Sequence, residues 1–268
     1  MSSQDTLFVV VDPTQNDHVA LDRAIITSRL RDVPPKLKVF VGVDSAAVSL
    51  DADNPDIYRD SHWFESLKEL LEKEGLDYTL VICWSTQWQE AVLQAAKKTE
   101  ADMILIPDYS SKNSRNRFSD SKWQLLRYAK CPVLICRPGA ESQRKVVLAA
   151  VKMQEKSKAY TELNEKIVAR GKWMAERYGA DFHVVNSFSD SVNYPDRGTM
   201  VRKIDIEPEK IHVHQGAPEN VVADVAKEIG ADIVVIGTLK RRGMKLAMRG
   251  NTSERVMSKI KQDVMTLN

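Results

Sequence analysis

The stretch IVVIGTLKRRGMKLAMRGNTSERV, residues 233 to 256, gathers residue types that can hold a phosphate. Gly237, Gly243 and Gly250 let a backbone come close to an anion. Asn251, Thr252 and Ser253 open a predicted helix, with Glu254 next. A helix start turns unpaired N–H groups and the positive end of the helix dipole toward a ligand. Lys240, Arg241, Arg242, Lys245 and Arg249 add cationic charge. A second reading needs no ligand: the glycines serve as turn and cap residues, and the basic residues form a solvated loop. The chain carries no nucleophile elbow, no His–carboxylate catalytic signature and no Walker loop, so no residue is assigned a catalytic role.

The elements that position this loop come from a repeat. ADMILIP at 101 to 107 matches ADIVVIG at 231 to 237, at an offset of 130. Upstream, QEAVLQAAKKTE aligns without a gap on ENVVADVAKEIG, and both carry apolar residues at helical spacing. LFVVVDP near the start answers VVLAAVK, 146 to 152, at an offset of 140, so the second copy is shorter in its middle. Strands are predicted at LFVVVD, KVFVGVD, YTLVICW, DMILIP and PVLIC in the first copy. In the second they are KVVLAAV, DFHVVNSF, KIHVHQG, DIVVIG and DVMTL, with a long helix over KAYTELNEKIVARGKWMAERYG. Continuous apolar strands separated by helices specify a parallel sheet covered on both faces. The expected fold class is α/β: two tandem five-stranded parallel-sheet domains, Rossmann-like, over residues 1–140 and 141–268, joined near RPGAESQRK. They are expected to pack as a pseudo-dimer, with the last strands around 133–136 and 264–267 pairing. Pro195, Gly198 and Pro208 interrupt the stretch 189–208, which is expected to replace the second helix of copy two with a loop.

The loop differs between the copies. Gly237 aligns with Pro107, Gly250 with Asp120 and Gly216 with Thr86. The first copy therefore has a proline and a carboxylate where a phosphate site needs backbone N–H groups. Trp84, Trp88 and Trp123 cluster at or after the positions flanking that vacant site. Core or domain packing explains them, and so does an apolar small-molecule pocket.

At 268 residues, 43% hydrophobic and 28% charged, the composition suits globular domains with sizeable cores. The net charge of +2 gives no global field for nucleic acid or membrane. Residues 141–268 hold 22 basic against 17 acidic side chains, a mild bias toward a phosphate-bearing partner. The basic loop has no interleaved stacking aromatics, so a nucleic-acid partner is not expected. Cys83, Cys131 and Cys136 lack metal-like spacing and read as free thiols in a reducing compartment. The start lacks a basic n-region and a long apolar run, and no stretch approaches the roughly 18 apolar residues of a membrane span. A cytoplasmic location is expected.

LFVVVDP, LNEKIV, QGAPENVVADVAKEIGADIVVIGT and GNTSERV together resemble the universal stress protein family, most closely its two-domain E type, over nearly all of both halves. The resemblance implies an adenine nucleotide hydrolase-like fold and a nucleotide loop of Gly, two residues, Gly, nine residues, Gly, then Ser or Thr. This chain reads Gly237, two residues, Lys240, nine residues, Gly250, Asn251. In ATP-binding members an aspartate ends the first strand. Copy one retains it as Asp12, whereas copy two has Val151 and then Lys152 there. The resemblance thus implies a weakened ATP or adenine-nucleotide site at Val151, Lys152, Gly237, Lys240, Gly250, Asn251, Thr252 and Ser253, in a non-enzymatic protein. Slow ATP hydrolysis occurs in the family, but no base is identifiable here. A scaffold for an apolar or amphiphilic ligand, or for a protein partner, is the alternative. The E type implies a cytoplasmic role in stress tolerance, including DNA damage, and family dimers suggest a homodimer. The family fold also sets His183 beside His212 and His214, so three imidazoles could hold zinc with Asp205 as a fourth ligand. Sheet-surface histidines are the plainer reading.

Overall fold

A computed structural model describes residues 4–43, 59–109, 119–238 and 252–268. The chain divides into two compact units, Met1–Pro138 and Gly139–Asn268.

The first unit runs β1 (Thr6–Val11), α1 (Val19–Arg29), β2 (Lys36–Gly42), α2 (Ser61–Lys73), β3 (Tyr78–Cys83), α3 (Trp88–Lys98), β4 (Met103–Pro107), α4 (Asp120–Tyr128) and β5 (Val133–Cys136). Its strands are ordered β3-β2-β1-β4-β5, and all pair in parallel. The second unit runs β6 (Val146–Val151), α5 (Lys158–Tyr178), β7 (Asp181–Phe188), α6 (Arg197–Ile204), β8 (Ile211–Gln215), α7 (Pro218–Glu228), β9 (Ile233–Gly237), α8 (Thr252–Lys259) and β10 (Asp263–Leu267), with short 3-10 turns at Ser191–Asn193 and Pro208–Lys210. Its order, β10-β9-β6-β7-β8, is the same arrangement, again parallel. In each unit the order reverses beside the first strand, between β1 and β4 and between β6 and β9.

The strand cores explain why the run-like apolar segments form the centre. Every residue of β4, β5 and β10 is buried, as is all of β1 except Thr6. Parallel strands covered on both faces must be apolar throughout, since no face is left for water. The repeated Ala-Asp before the fourth strand has a backbone role. Asp102 Oδ2 accepts from Thr6 N at 2.7 Å, and Asp232 Oδ2 accepts from Val146 N at 2.9 Å. In each unit this carboxylate ties the start of the fourth strand to the start of the first.

The second helix of copy two is present, contrary to the sequence expectation. α6 spans eight residues, shorter than the thirteen of α2. Asp196 caps it, its Oδ1 accepting from Gly198 N at 2.9 Å and Thr199 N at 3.3 Å. Met200 and Ile204, one turn apart, are buried. Asp205 ends the helix in a left-handed conformation, φ 56°. Pro195 precedes the cap and Pro208 follows the end, so the prolines bracket the helix. Gly198 falls in its first turn, where its N–H is spent on the cap.

Candidate functional site

A cleft with a volume of about 320 Å³ opens at the carboxyl ends of β6, β7 and β9. This is the switch point of the second unit's sheet, where open α/β sheets place ligands. Five residues expected at the site line it: Val151, Lys152, Gly237, Thr252 and Ser253. Lys240, Gly250 and Asn251 lie outside the described residues.

The first turn of α8 supplies one wall. Thr252 and Ser253 lead the helix, and Ser253 Oγ donates to the carbonyl of Gly237 at 2.7 Å. That bond anchors the helix start to the end of β9, leaving the turn's N–H groups at the positive helix end beside the cleft. Arg255 is engaged sideways, its Nε 2.9 Å from Glu219 Oε1 of α7.

Gly237 sits at a tight packing contact. A Cβ at this position would lie 2.5 Å from Leu163 Cδ2 and 2.7 Å from Leu163 Cγ. The Leu163 side chain of α5 therefore lies so close to the end of β9 that a Cβ at Gly237 would force it to shift. At Gly216, φ is +148°, a backbone region that side chains rarely adopt.

The opposite wall is the β6–α5 turn, held by side chains that sequence reasoning missed. Asn164, in the second turn of α5 and buried, clasps Lys152 from both sides. Its Oδ1 accepts from Lys152 N and its Nδ2 donates to Lys152 O, each at 3.0 Å. Asn186 of β7, fully buried, accepts from Met153 N at 2.7 Å and donates to Gln154 Oε1 at 2.8 Å. Gln154 Nε2 donates to Ser187 O at 2.8 Å. A buried carboxamide holds its position only when its donors and acceptors are paired. The available signal was an asparagine on each of two otherwise apolar faces, LNEKIV and HVVNSF. The Lys152 side chain reaches along the rim, 5.1 Å over the Tyr160 ring and 3.6 Å from Glu155 Oε2.

The first unit fills the corresponding region differently. Asp12 Oδ1 accepts from Thr14 N at 2.9 Å and Thr14 Oγ1 at 2.7 Å, closing a turn upon itself. Tyr109, just beyond β4, donates its hydroxyl to Asp17 O, and burial pushes that phenol well above its ordinary range. Asp108 follows Pro107 at the place Thr238 holds in the second unit. It is buried, 3.1 Å from Arg137 Nε and 3.7 Å from Lys122 Nζ. A carboxylate thus already faces these cations. Trp88 is buried, Trp123 half-buried and Trp84 exposed.

His183, His212 and His214 do share one sheet face. His183 Nδ1 and His212 Nε2 are 3.0 Å apart with the rings stacked, and His214 stacks on His212. Asp205 caps α6, its carbonyl accepting from Lys172 Nζ at 3.1 Å. Among the described residues no group of three or more His, Cys, Asp or Glu side chains could hold a metal. The His183–His212 contact requires one donor and one acceptor ring, so at least one is neutral. Burial holds both imidazoles below the usual range. At His183 the Asp181 charge opposes this and Lys210 adds to it; at His212 the neighbouring His183 adds to it, while Glu228 opposes and His214 and Arg197 contribute. A histidine whose folded value lies below its unfolded value takes up its proton more readily when unfolded. Its contribution is fully present above the unfolded value of about 6.5 and is lost as pH falls from there through the lower folded value. Urea midpoints of the wild type should therefore drop between about pH 7.5 and 5.5. His212→Gln should flatten that decline, and an equally steep decline in the variant would refute the assignment.

Comparison with known proteins agrees with this architecture. The model of the universal stress protein family matches residues 5–137 and 196–268. "Universal stress protein E" of Photorhabdus laumondii is 24% identical over 302 residues, covering 100% of this chain and 96% of the relative. The protein of the same name from Escherichia coli K12 is 25% identical over 301 residues, covering 100% and 95%. A crystal structure from Pseudomonas aeruginosa UCBPP-PA14, named for the same family, superposes with a TM-score of 0.82 at 22% identity, over 99% of this chain and 93% of that one. With most of its length inside the two matched segments, and with E-type relatives aligned along all of it, the chain belongs to the universal stress protein family and falls with its E-type members.

Proposed function

We propose that the second unit binds a nucleotide, weakly for ATP, and that the protein responds to it without catalysing a reaction. The observation that carries this is the cleft at the β6–β9 switch point, walled by the first turn of α8 on one side and the β6–α5 turn on the other, with an apolar surface between them. Its lining includes Val151, Val185, Phe188, Pro218, Val222 and Ile236, a surface suited to a flat base. A volume of about 320 Å³ is at the low end for small-molecule sites. The helix start accepts the phosphates, helped by Lys240, Gly250 and Asn251 of the adjoining loop. No general base is assigned in the cleft, which supports a binding role.

The ATP site is weak for two reasons. Lys240 stands where the family loop has glycine, and Lys152 stands where ATP-binding members carry a carboxylate. The phosphates are held better than an adenine base. The first unit, with Asp12 turned onto Thr14 and Asp108 facing Arg137 and Lys122, binds none. The protein acts in the cytoplasm in stress tolerance, through partner contacts that nucleotide occupancy alters. Among the described residues no helix is long and apolar enough to cross a membrane.

Calorimetric titration with ATP, ADP and GTP tests this on the wild type and on Gly250→Glu. Binding is expected in the wild type. A carboxylate placed before the α8 N-terminus should weaken it by about tenfold, the like-charge and lost-approach cost of an anion site. Undiminished affinity in the variant, or no heat from any nucleotide in the wild type, would favour a scaffold that binds an apolar ligand or a protein partner.

A further inference from the structure

The polar groups on the β6–β7 side of the cleft are almost all consumed internally. Asn164 spends both ends of its carboxamide on the Lys152 backbone, and Asn186 and Gln154 pair with each other and with the turn. Ser189 Oγ donates to Asp190 Oδ2 at 2.8 Å. Lys152 is the one charged side chain among the described residues that line the cleft. Its side chain is about half exposed, and the Glu155 carboxylate lies 3.6 Å from its ammonium at the surface. An exposed pair of this kind contributes little and yields readily to a ligand. An ammonium only donates hydrogen bonds.

We propose that Lys152 makes the cleft selective for nucleotides whose base presents a ring carbonyl, such as hypoxanthine, guanine or uracil, over adenine. The proposal rests on the nucleotide reading above. With phosphates at the α8 start, the base extends across the apolar lining toward the ends of β6 and β7. There it meets the Lys152 side chain beside Tyr160. A carbonyl oxygen accepts from the ammonium, whereas the exocyclic amino group of adenine turns donors toward a donor. A polar site left unmatched in this way disfavours the wrong ligand. Glu155 competes with the ligand for the ammonium and so sets how strongly the preference shows.

ITP and ATP share ribose and phosphates and differ only along one purine edge, at positions 1 and 6, so their affinity ratio reads how that edge meets Lys152. Titration of the full chain is expected to show ITP bound about tenfold more tightly than ATP, the size of one hydrogen bond to a charged group. Lys152→Met keeps the backbone that Asn164 clasps and should bring the ratio close to one, chiefly by weakening ITP. Glu155→Gln, a surface change, should widen the ratio and serves as a second variant should Lys152→Met fold poorly. A wild-type ratio near one overturns the proposal, as does a ratio that survives Lys152→Met. Equal weakening of both nucleotides in that variant also overturns it, because Lys152 then meets phosphate or ribose. If neither nucleotide binds the wild type, the nucleotide reading fails and this inference falls with it; binding without preference removes the inference alone.

Discussion

Asp263→Asn is expected to lower the free energy of unfolding of the second unit by about 3–5 kcal/mol, because it strands a buried cation. Asp263 opens β10, and its Oδ2 pairs with Nη2 of Arg144, just before β6, with the two side chains 0% and 1% exposed. The same guanidinium reaches the backbone carbonyls of Glu141 and, at 3.4 Å, Asp232. Arg144 therefore ties the entry to β6 to the starts of β9 and β10, at the amino ends of the strands and away from the cleft. Neutralising the carboxylate leaves the guanidinium out of water without its charge partner. Replacing both groups by apolar residues, as in Arg144→Met with Asp263→Leu, removes that penalty and should recover most of the loss. Urea unfolding of the single and double variants measures this. A single variant within about 1 kcal/mol of wild type would show the pair to be solvated in solution.

Gly237→Ala is the second large effect, and it couples stability to the cleft. A methyl group there meets three atoms of Leu163 between 2.5 and 2.9 Å, closer than non-bonded carbons approach. Leu163 sits on α5, 5% exposed, and also lines the cleft. Forcing an extra methyl into such a contact costs about 1–3 kcal/mol. Leu163 relieves the clash by moving toward the open cleft, so nucleotide affinity should fall with stability. Leu163→Ala alone leaves a cavity and costs about 2–5 kcal/mol. Combined, the two changes should be less destabilising than their sum by at least about 1 kcal/mol, since the new methyl occupies part of the space vacated. Strict additivity would mean that the contact does not limit position 237.

Much of the architecture was legible before any coordinates. Apolar runs bounded by turn residues mark strands whatever the chain does elsewhere, because burial on both faces leaves no polar positions to misplace. The offsets of 130 and 140 then carried one unit's reading onto the other. The sequence also determined the polarity of the candidate site: glycine and hydroxyl residues at a helix start in the second copy, Pro107 and Asp120 in the first. Pro195, Gly198 and Pro208 read as helix breakers at 189–208, but Asp196 caps a helix that runs between the two prolines. A proline outside a helix ends delimits it, and only one inside breaks it.

Tertiary structure decided what depends on distances between segments remote in sequence. The close contact at Gly237 comes from Leu163, 74 positions earlier in the chain. Asn164 and Asn186 matter because α5 and β7 converge on the turn at Lys152 and Met153. His183 faces His212 only through the parallel β7–β8 register, which sets Val185 opposite His212. Local sequence governs backbone preference and which face is apolar, since those energies arise within a few residues. It is silent on which side chains share a close contact, because steric exclusion, buried hydrogen bonding and desolvation take effect only once the chain has folded those residues together.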